Sequence, residues 1–140
     1  MIYRTVQGCW ETLGEAARRV REAVFIKEQG VPTHLEHDGR DSRHHHAVVF
    51  VNDIPAATGR LDSEGRIGRV AVLSAYRRHR LGTMIMQHLE AKAQSAGLTE
   101  VMVHAQAAVI PFYEALGYVA AGDTFMEAGI FHQRMIKRLA

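Results

Sequence analysis

The sequence predicts a mixed α/β fold: one mostly antiparallel sheet flanked by helices. Three observations carry this expectation. Strand-like runs cluster between residues 47 and 73 and are separated by two turn segments. Two stretches with three- and four-residue apolar spacing lie on either side of that cluster. Beyond residue 97 strand and helix patterns alternate again, the order expected of helices packed on a single sheet.

Taken in chain order, residues 1–6 can form a short strand. From Thr12 to Gln29 the pattern is helical, with Ala16, Ala17, Val20, Ala23 and Val24 on one face and Arg18, Arg19 and Arg21 between them. Gly30 and Pro32 stop it, and the polar stretch Thr33–His45 reads as a loop. Strands follow at Ala47–Val51, Ala56–Leu61 and Ile67–Leu73, joined by turns at Asn52-Asp53 and at Asp62-Ser63-Glu64-Gly65. Leu81–Ala96 is helical, with Ile85, Leu89 and Ala93 at i, i+4 spacing and Gly97 as its C-terminal cap. Glu100–Ala105 is a strand. Pro111–Leu116 is a short helix with Pro in its first turn and Gly117 as its stop. Tyr118–Ala121 and Ile130–Lys137 are the closing strands.

The chain has 140 residues, the size of one domain, and no repeat or linker divides it, so residues 1–140 are expected to form a single domain. Hydrophobic residues make up 47% and charged residues 23%, an ordinary globular composition. No apolar run is long enough to span a bilayer, and residues 1–6 lack the basic-then-apolar order of a secretory signal. A lone cysteine, Cys9, leaves no disulfide framework. Cytoplasm is the expected location. The formal charge of +2 and the 7% aromatic content give no footprint for nucleic acid. Positive charge is carried by 14 Arg against 3 Lys, and Arg is the better partner for phosphate and carboxylate.

Position gives the arginines meaning. Arg77-Arg78-His79-Arg80-Leu81-Gly82-Thr83 lies between a strand and a helix. A helix start carries unpaired N–H groups and the positive end of the macrodipole, so three arginines there conflict with the local field. A bound polyanion resolves the conflict by serving both. Neither a P-loop nor a G-x-G-x-x-G cradle is present, and a solvated basic loop without ligand is the alternative.

The segment Val72–Gly82 resembles the coenzyme A motif of the GCN5-related N-acetyltransferase (GNAT) family, Arg/Gln-x-x-Gly-x-Gly/Ala after a strand. Arg77 and Gly82 match it, while Arg80 stands in place of the first Gly, an exchange that is harmless if Arg80 keeps a non-positive φ. Phe112-Tyr113-Glu114-Ala115-Leu116-Gly117-Tyr118 is similar to the family's second segment, at the expected distance. Arg21–Gln29, Glu36, Asp38, Ala105-Gln106 and Gly129–His132 resemble members described only as acyltransferases, so the likeness runs over nearly the whole chain.

The resemblance implies the GNAT fold and acetyl-CoA as cofactor. Backbone N–H groups of Arg78, His79, Arg80, Leu81, Gly82 and Thr83, with Arg77, would hold its pyrophosphate. The backbone of Val70, Ala71 and Val72 would pair with its pantetheine arm as an added strand does, and Gln106 belongs to the same set. Tyr113 would steady the departing thiolate, and the Val72 N–H would meet the oxyanion.

Acyl transfer needs a neutral amine, and an alkylamine with a pKa near 10.4 is almost wholly protonated at pH 7. Glu28, at the end of the first helix, is the candidate base, with a water chain to bulk as the alternative. Glu36 and Asp38 are candidate ligands for a cationic acceptor, with solvation of a loop as their alternative role. His46 and His132 are expected on the acceptor side. The histidines at 34, 37 and 44–46 lack metal-ligand spacing, and no metal is expected. The expected function is transfer of an acetyl or short acyl group to a primary amine on a small molecule or a protein. An enzyme like the acyl-homoserine-lactone synthases, or a non-catalytic acyl-CoA sensor, are the alternatives. No membrane or nucleic-acid partner is expected. An edge strand in the C-terminal half offers a route to a homodimer.

Overall fold

Seven strands form one sheet: Tyr3–Gly8 (β1), His45–Val51 (β2), Ile54–Leu61 (β3), Arg66–Val72 (β4), Glu100–Gln106 (β5), Val119–Glu127 (β6) and Ile130–Arg138 (β7). The computed structural model describes residues 1–140. Strand order is β1-β2-β3-β4-β5-β7-β6. Neighbours are antiparallel except β4 and β5, which run parallel and pair only at Arg66–Met102 and Ile67–Val103. Just before that joint Gly65, at φ +98°, lets the chain pass so close to β5 that a Cβ there would lie 2.7 Å from the Glu100 carbonyl oxygen. Beyond the joint β4 runs on to Val72 and β5 to Gln106 without pairing, so the sheet splays into a wedge.

Strand alternation sorts side chains to the two faces. In β2, Ala47, Val49 and Val51 join the main core with Ile85 and Leu89 of the helix Leu81–Ser95, while Val48 packs with Leu13 and Ala17 of the helix Trp10–Arg21 (α1). Ile85 and Leu89 are fully buried, each contributing roughly 1.5–3 kcal/mol by removal from water. Numbering the one-turn helix Thr33–Glu36 as α2, Leu81–Ser95 is α3 and Ile110–Ala115 is α4. Both expected glycine stops are present. After α3, Gly97 N–H bonds Gln94 C=O and Leu98 N–H bonds Ala93 C=O; after α4, Gly117 and Tyr118 repeat the pattern on Glu114 and Tyr113. Each is a Schellman cap with glycine at positive φ.

Three elements differ from expectation. The first helix is α-helical only to Arg21, and Glu22–Glu28 is a wider π-helix in which the Gln29 N–H reaches back five residues to Val24 C=O. The polar stretch 33–45 contains α2 and a 3₁₀ turn at Asp41–Arg43, with Glu36 and Asp41 buried. β6 extends to Glu127; it is an edge strand with an exposed face and a register shift between Ala120 and Thr124, so its sequence lacks a core pattern. No helix is long and apolar enough to cross a membrane.

Candidate active site

The wedge between β4 and β5 opens into a cleft of about 1130 Å³, lined from the π-helix, both splayed strands, the start of α3, α4 and the β6–β7 hairpin. The turn entering α3 stands at one end. None of the backbone N–H groups from Arg78 to Thr83 is used by the protein: the bonds around the turn come from Tyr76, Arg77 and Met84. Six consecutive free donors at a helix start, beside the exposed Arg78 and Arg80, form an anion cradle. Gly82 packs under α4, where a Cβ would come within 3.2 Å of the Phe112 ring. Arg80 lies at φ +61° and Arg78 at φ +69°. The condition for a harmless exchange at Arg80 is therefore not met, and the left-handed conformation costs about 1–2 kcal/mol in a residue with a Cβ. His79 is exposed and, unlike its neighbours, does not line the cleft.

Val70, Ala71 and Val72 edge the β4 side. Ala71 is turned inward, buried against Val20 and Val24. Leu73 N–H bonds Ala56 C=O on β3, so by strand alternation Val72 directs its own N–H and C=O away from β3 and into the wedge. The Val72 carbonyl accepts from Arg77 Nε at 3.1 Å. The rest of the Arg77 guanidinium grips Glu28 through two bonds of 2.6 Å.

Tyr113 rises from α4 in the middle of the cleft, wedged edge-on between Phe112 and Tyr118. Burial pushes its phenol well above the usual value, so it holds its proton throughout the neutral range. Gln106, at the end of β5, exchanges two amide hydrogen bonds with Gln29, of 2.9 and 3.2 Å, across the cleft mouth.

Four sequence expectations need correction. Glu28 is a poor base: the bidentate hydrogen bonds from Arg77 hold its carboxyl below the usual range. Glu36 is 2% exposed and shared by Arg21 at 2.9 Å and Arg69 at 2.9 Å. Asp38 is paired with Arg60 at 2.5 Å, and Asp41 joins Arg21 and Arg60 at 2.7 and 2.8 Å. Burial raises the Asp38 and Asp41 carboxyls, but the arginines outweigh it and hold both low. These carboxylates are counter-ions in a six-charge cluster rather than free ligands for a cationic acceptor. His46 is 1% exposed, tilted against the Trp10 ring at 4.9 Å, and donates Nε2–H to Asp41 C=O at 2.8 Å. It is a packing residue under α1, outside the cleft.

His132 does line the cleft. The structure adds His104, Glu127 and Arg66 beside it. Only one signal pointed to His104: in β5 it alternates with the buried Val101, Val103 and Ala105, so it faces the other side.

A family model for the acetyltransferase (GNAT) domain matches residues 10–139. The uncharacterized N-acetyltransferase YjcF of Bacillus subtilis is 38% identical over 122 residues, covering 84% of this chain and 87% of its own. The crystal structure of an acyl-CoA N-acyltransferase from Pseudomonas aeruginosa superposes with a TM-score of 0.86 at 30% identity, covering 97% of this chain and 99% of that one. ElaA of Escherichia coli gives 0.84 at 27%, with the same coverage. The family match over residues 10–139 and the likeness to these relatives agree, and the chain belongs to the GNAT family of acyl-transferring enzymes.

Proposed function

We propose that the chain transfers an acetyl or short acyl group from acyl-CoA to a primary amine. The observation that carries this reading is the row of unused N–H groups from Arg78 to Thr83 at one end of the wedge. A pyrophosphate is the anion that such a cradle fits, since several adjacent donors and two guanidinium groups converge there. The free backbone edge of β4 suits an extended amide-bearing arm, bound as an added strand. The Pseudomonas relative, described as an acyl-CoA N-acyltransferase, supports the same donor.

In this reading Arg78 and Arg80 neutralise phosphate charge while Arg77 and Glu28 brace the turn against the π-helix. The Val72 N–H faces the carbonyl oxygen under attack. The Tyr113 hydroxyl, protonated on a residue that lines the cleft, donates to the departing sulfur, which avoids release of a bare thiolate.

Thiol release from acetyl-CoA across a panel of amines, with thermal stabilisation by acetyl-CoA, tests the proposal. No stabilisation would sink it. Tyr113→Phe is expected to lower kcat by roughly 100-fold while leaving acetyl-CoA affinity within a factor of about two. An equal loss in both would make Tyr113 a packing residue.

A further inference from the structure

His132, already expected on the acceptor side, is joined on one wall of the cleft by Glu127 and His104, which no motif singled out. Glu127 is the last residue of β6, and the Ala128-Gly129 turn, both residues at positive φ, folds β7 back beside it. Gln106 pairs with His132 and His104 with Arg134 across β5 and β7, which aligns His104 and His132 on the same sheet face. Phe125 fixes the two imidazoles, stacked on His132 at 5.8 Å and edge-on to His104 at 4.9 Å.

The Glu127 carboxylate is approached by three side chains but not tied down. His104 Nδ1 is 3.5 Å from Oε1, Arg66 is 3.8 Å from Oε1, and His132 Nε2 is 3.7 Å from Oε2. All three separations exceed a normal hydrogen bond. His104 Nδ1 is buried and has no hydrogen-bond partner. A buried polar atom left unpaired is costly and marks a place for a missing partner. His132 Nδ1 lies 2.7 Å from the Ile130 carbonyl, which can only accept, so Nδ1 carries hydrogen. In the neutral ring Nε2 therefore presents a lone pair toward Glu127 Oε2.

We infer that this wall is the acceptor site: Glu127 Oε2 and His132 Nε2 together receive the ammonium group of a primary alkylamine, and His132 Nε2 takes its proton. A nitrogen can sit within donor reach of two acceptors 3.7 Å apart. Arg66 and His104 occupy the Oε1 side, leaving Oε2 to the substrate. His104, pushed down by burial and secondly by Arg66, stays neutral and adds no positive charge beside the ammonium. The inference rests on the acyl-transfer reading. One ammonium proton goes to His132 and from there to solvent. The freed lone pair forms the C–N bond as the C–S bond breaks. The nitrogen's second proton replaces the one that Tyr113 gives to sulfur, so the products are the amide, the free thiol and one released proton.

Titration of the full chain with butylammonium chloride, followed by NMR on the imidazole signals of His104 and His132, tests the site directly. Both rings are expected to shift saturably, and Glu127→Gln to weaken that binding about tenfold or more. No saturable shift in the wild-type chain would overturn the inference, as would unchanged affinity in Glu127→Gln. For the proton step, His132→Gln is expected to lower kcat for an alkylamine roughly 100-fold or more, with acetyl-CoA KM unchanged. Aniline, uncharged at neutral pH, should lose far less; equal losses on both amines would overturn the role of His132. Failure of acetyl-CoA to stabilise the wild-type chain would instead count against acyl transfer itself, while the ring shifts still report on the ammonium site.

Discussion

Two charged clusters border one cleft, and they differ in how closely their charges are paired. Under α1, Arg21, Arg60 and Arg69 meet Glu36, Asp38 and Asp41 in five contacts of 2.5–2.9 Å and a sixth, Arg69–Asp38, of 3.7 Å. Glu36 and Arg21 are almost wholly buried, and only Arg69 Nε lacks hydrogen-bond geometry. Beside the β6–β7 hairpin Glu127 keeps His104, His132 and Arg66 at 3.5–3.8 Å, and its side chain is 42% exposed. The first group resembles a keystone: it ties the end of α1 and the segment 36–41 to β3 and β4. The second has donors and lone pairs to spare. Charge that is already satisfied holds structure, whereas charge held just out of reach is free to bind.

Breaking the matched cluster should have the largest effect. Arg21→Met removes partners from both Glu36 and Asp41, leaving buried carboxylate under-compensated, and is expected to cost about 3–5 kcal/mol in urea unfolding. A cost below about 1 kcal/mol would show that the cluster relaxes or takes in water. Acid comes next. Asp38 and Asp41 titrate below their unfolded value of about 3.9. Their contribution is thus complete above that pH and is lost as pH falls through the lower folded values. Thermal unfolding should show a steep loss of stability below about pH 4, flattened in Arg21→Met. The smallest effect sharpens the contrast: Glu127→Gln should alter stability by no more than about 0.5 kcal/mol, measured in the same urea series. A larger loss would place Glu127 among the structural charges.

What could be read from the sequence was what neighbours in the chain determine. Gly97 and Gly117 end helices through bonds three positions back, with Leu98 and Tyr118 after them reaching five back, and Arg77–Thr83 with Phe112-Tyr113 are compact motifs. Glu36 and Asp41 escaped because their burial depends on Arg21, 15 and 20 residues earlier, and a polar stretch looks alike in a loop and in a buried ion cluster. His46 and His132 were grouped together although strand alternation and a Trp10 contact send one under α1 and the other into the cleft. Glu127 was missed because β6 is an edge strand whose outer face carries no apolar repeat.

The parting of β4 from β5 also has a mechanical side. Two antiparallel panels meet through a joint only two residue pairs wide, at Arg66–Met102 and Ile67–Val103, braced by Met102 N–H on Gly65 C=O. Beyond that joint the two strands share no backbone bonds, and a donor lying along the free edge of β4 would act as a splint across the gap. Amide protons of Val72 and its neighbours would then exchange more slowly in the loaded enzyme, and the panels would unfold more nearly as one unit.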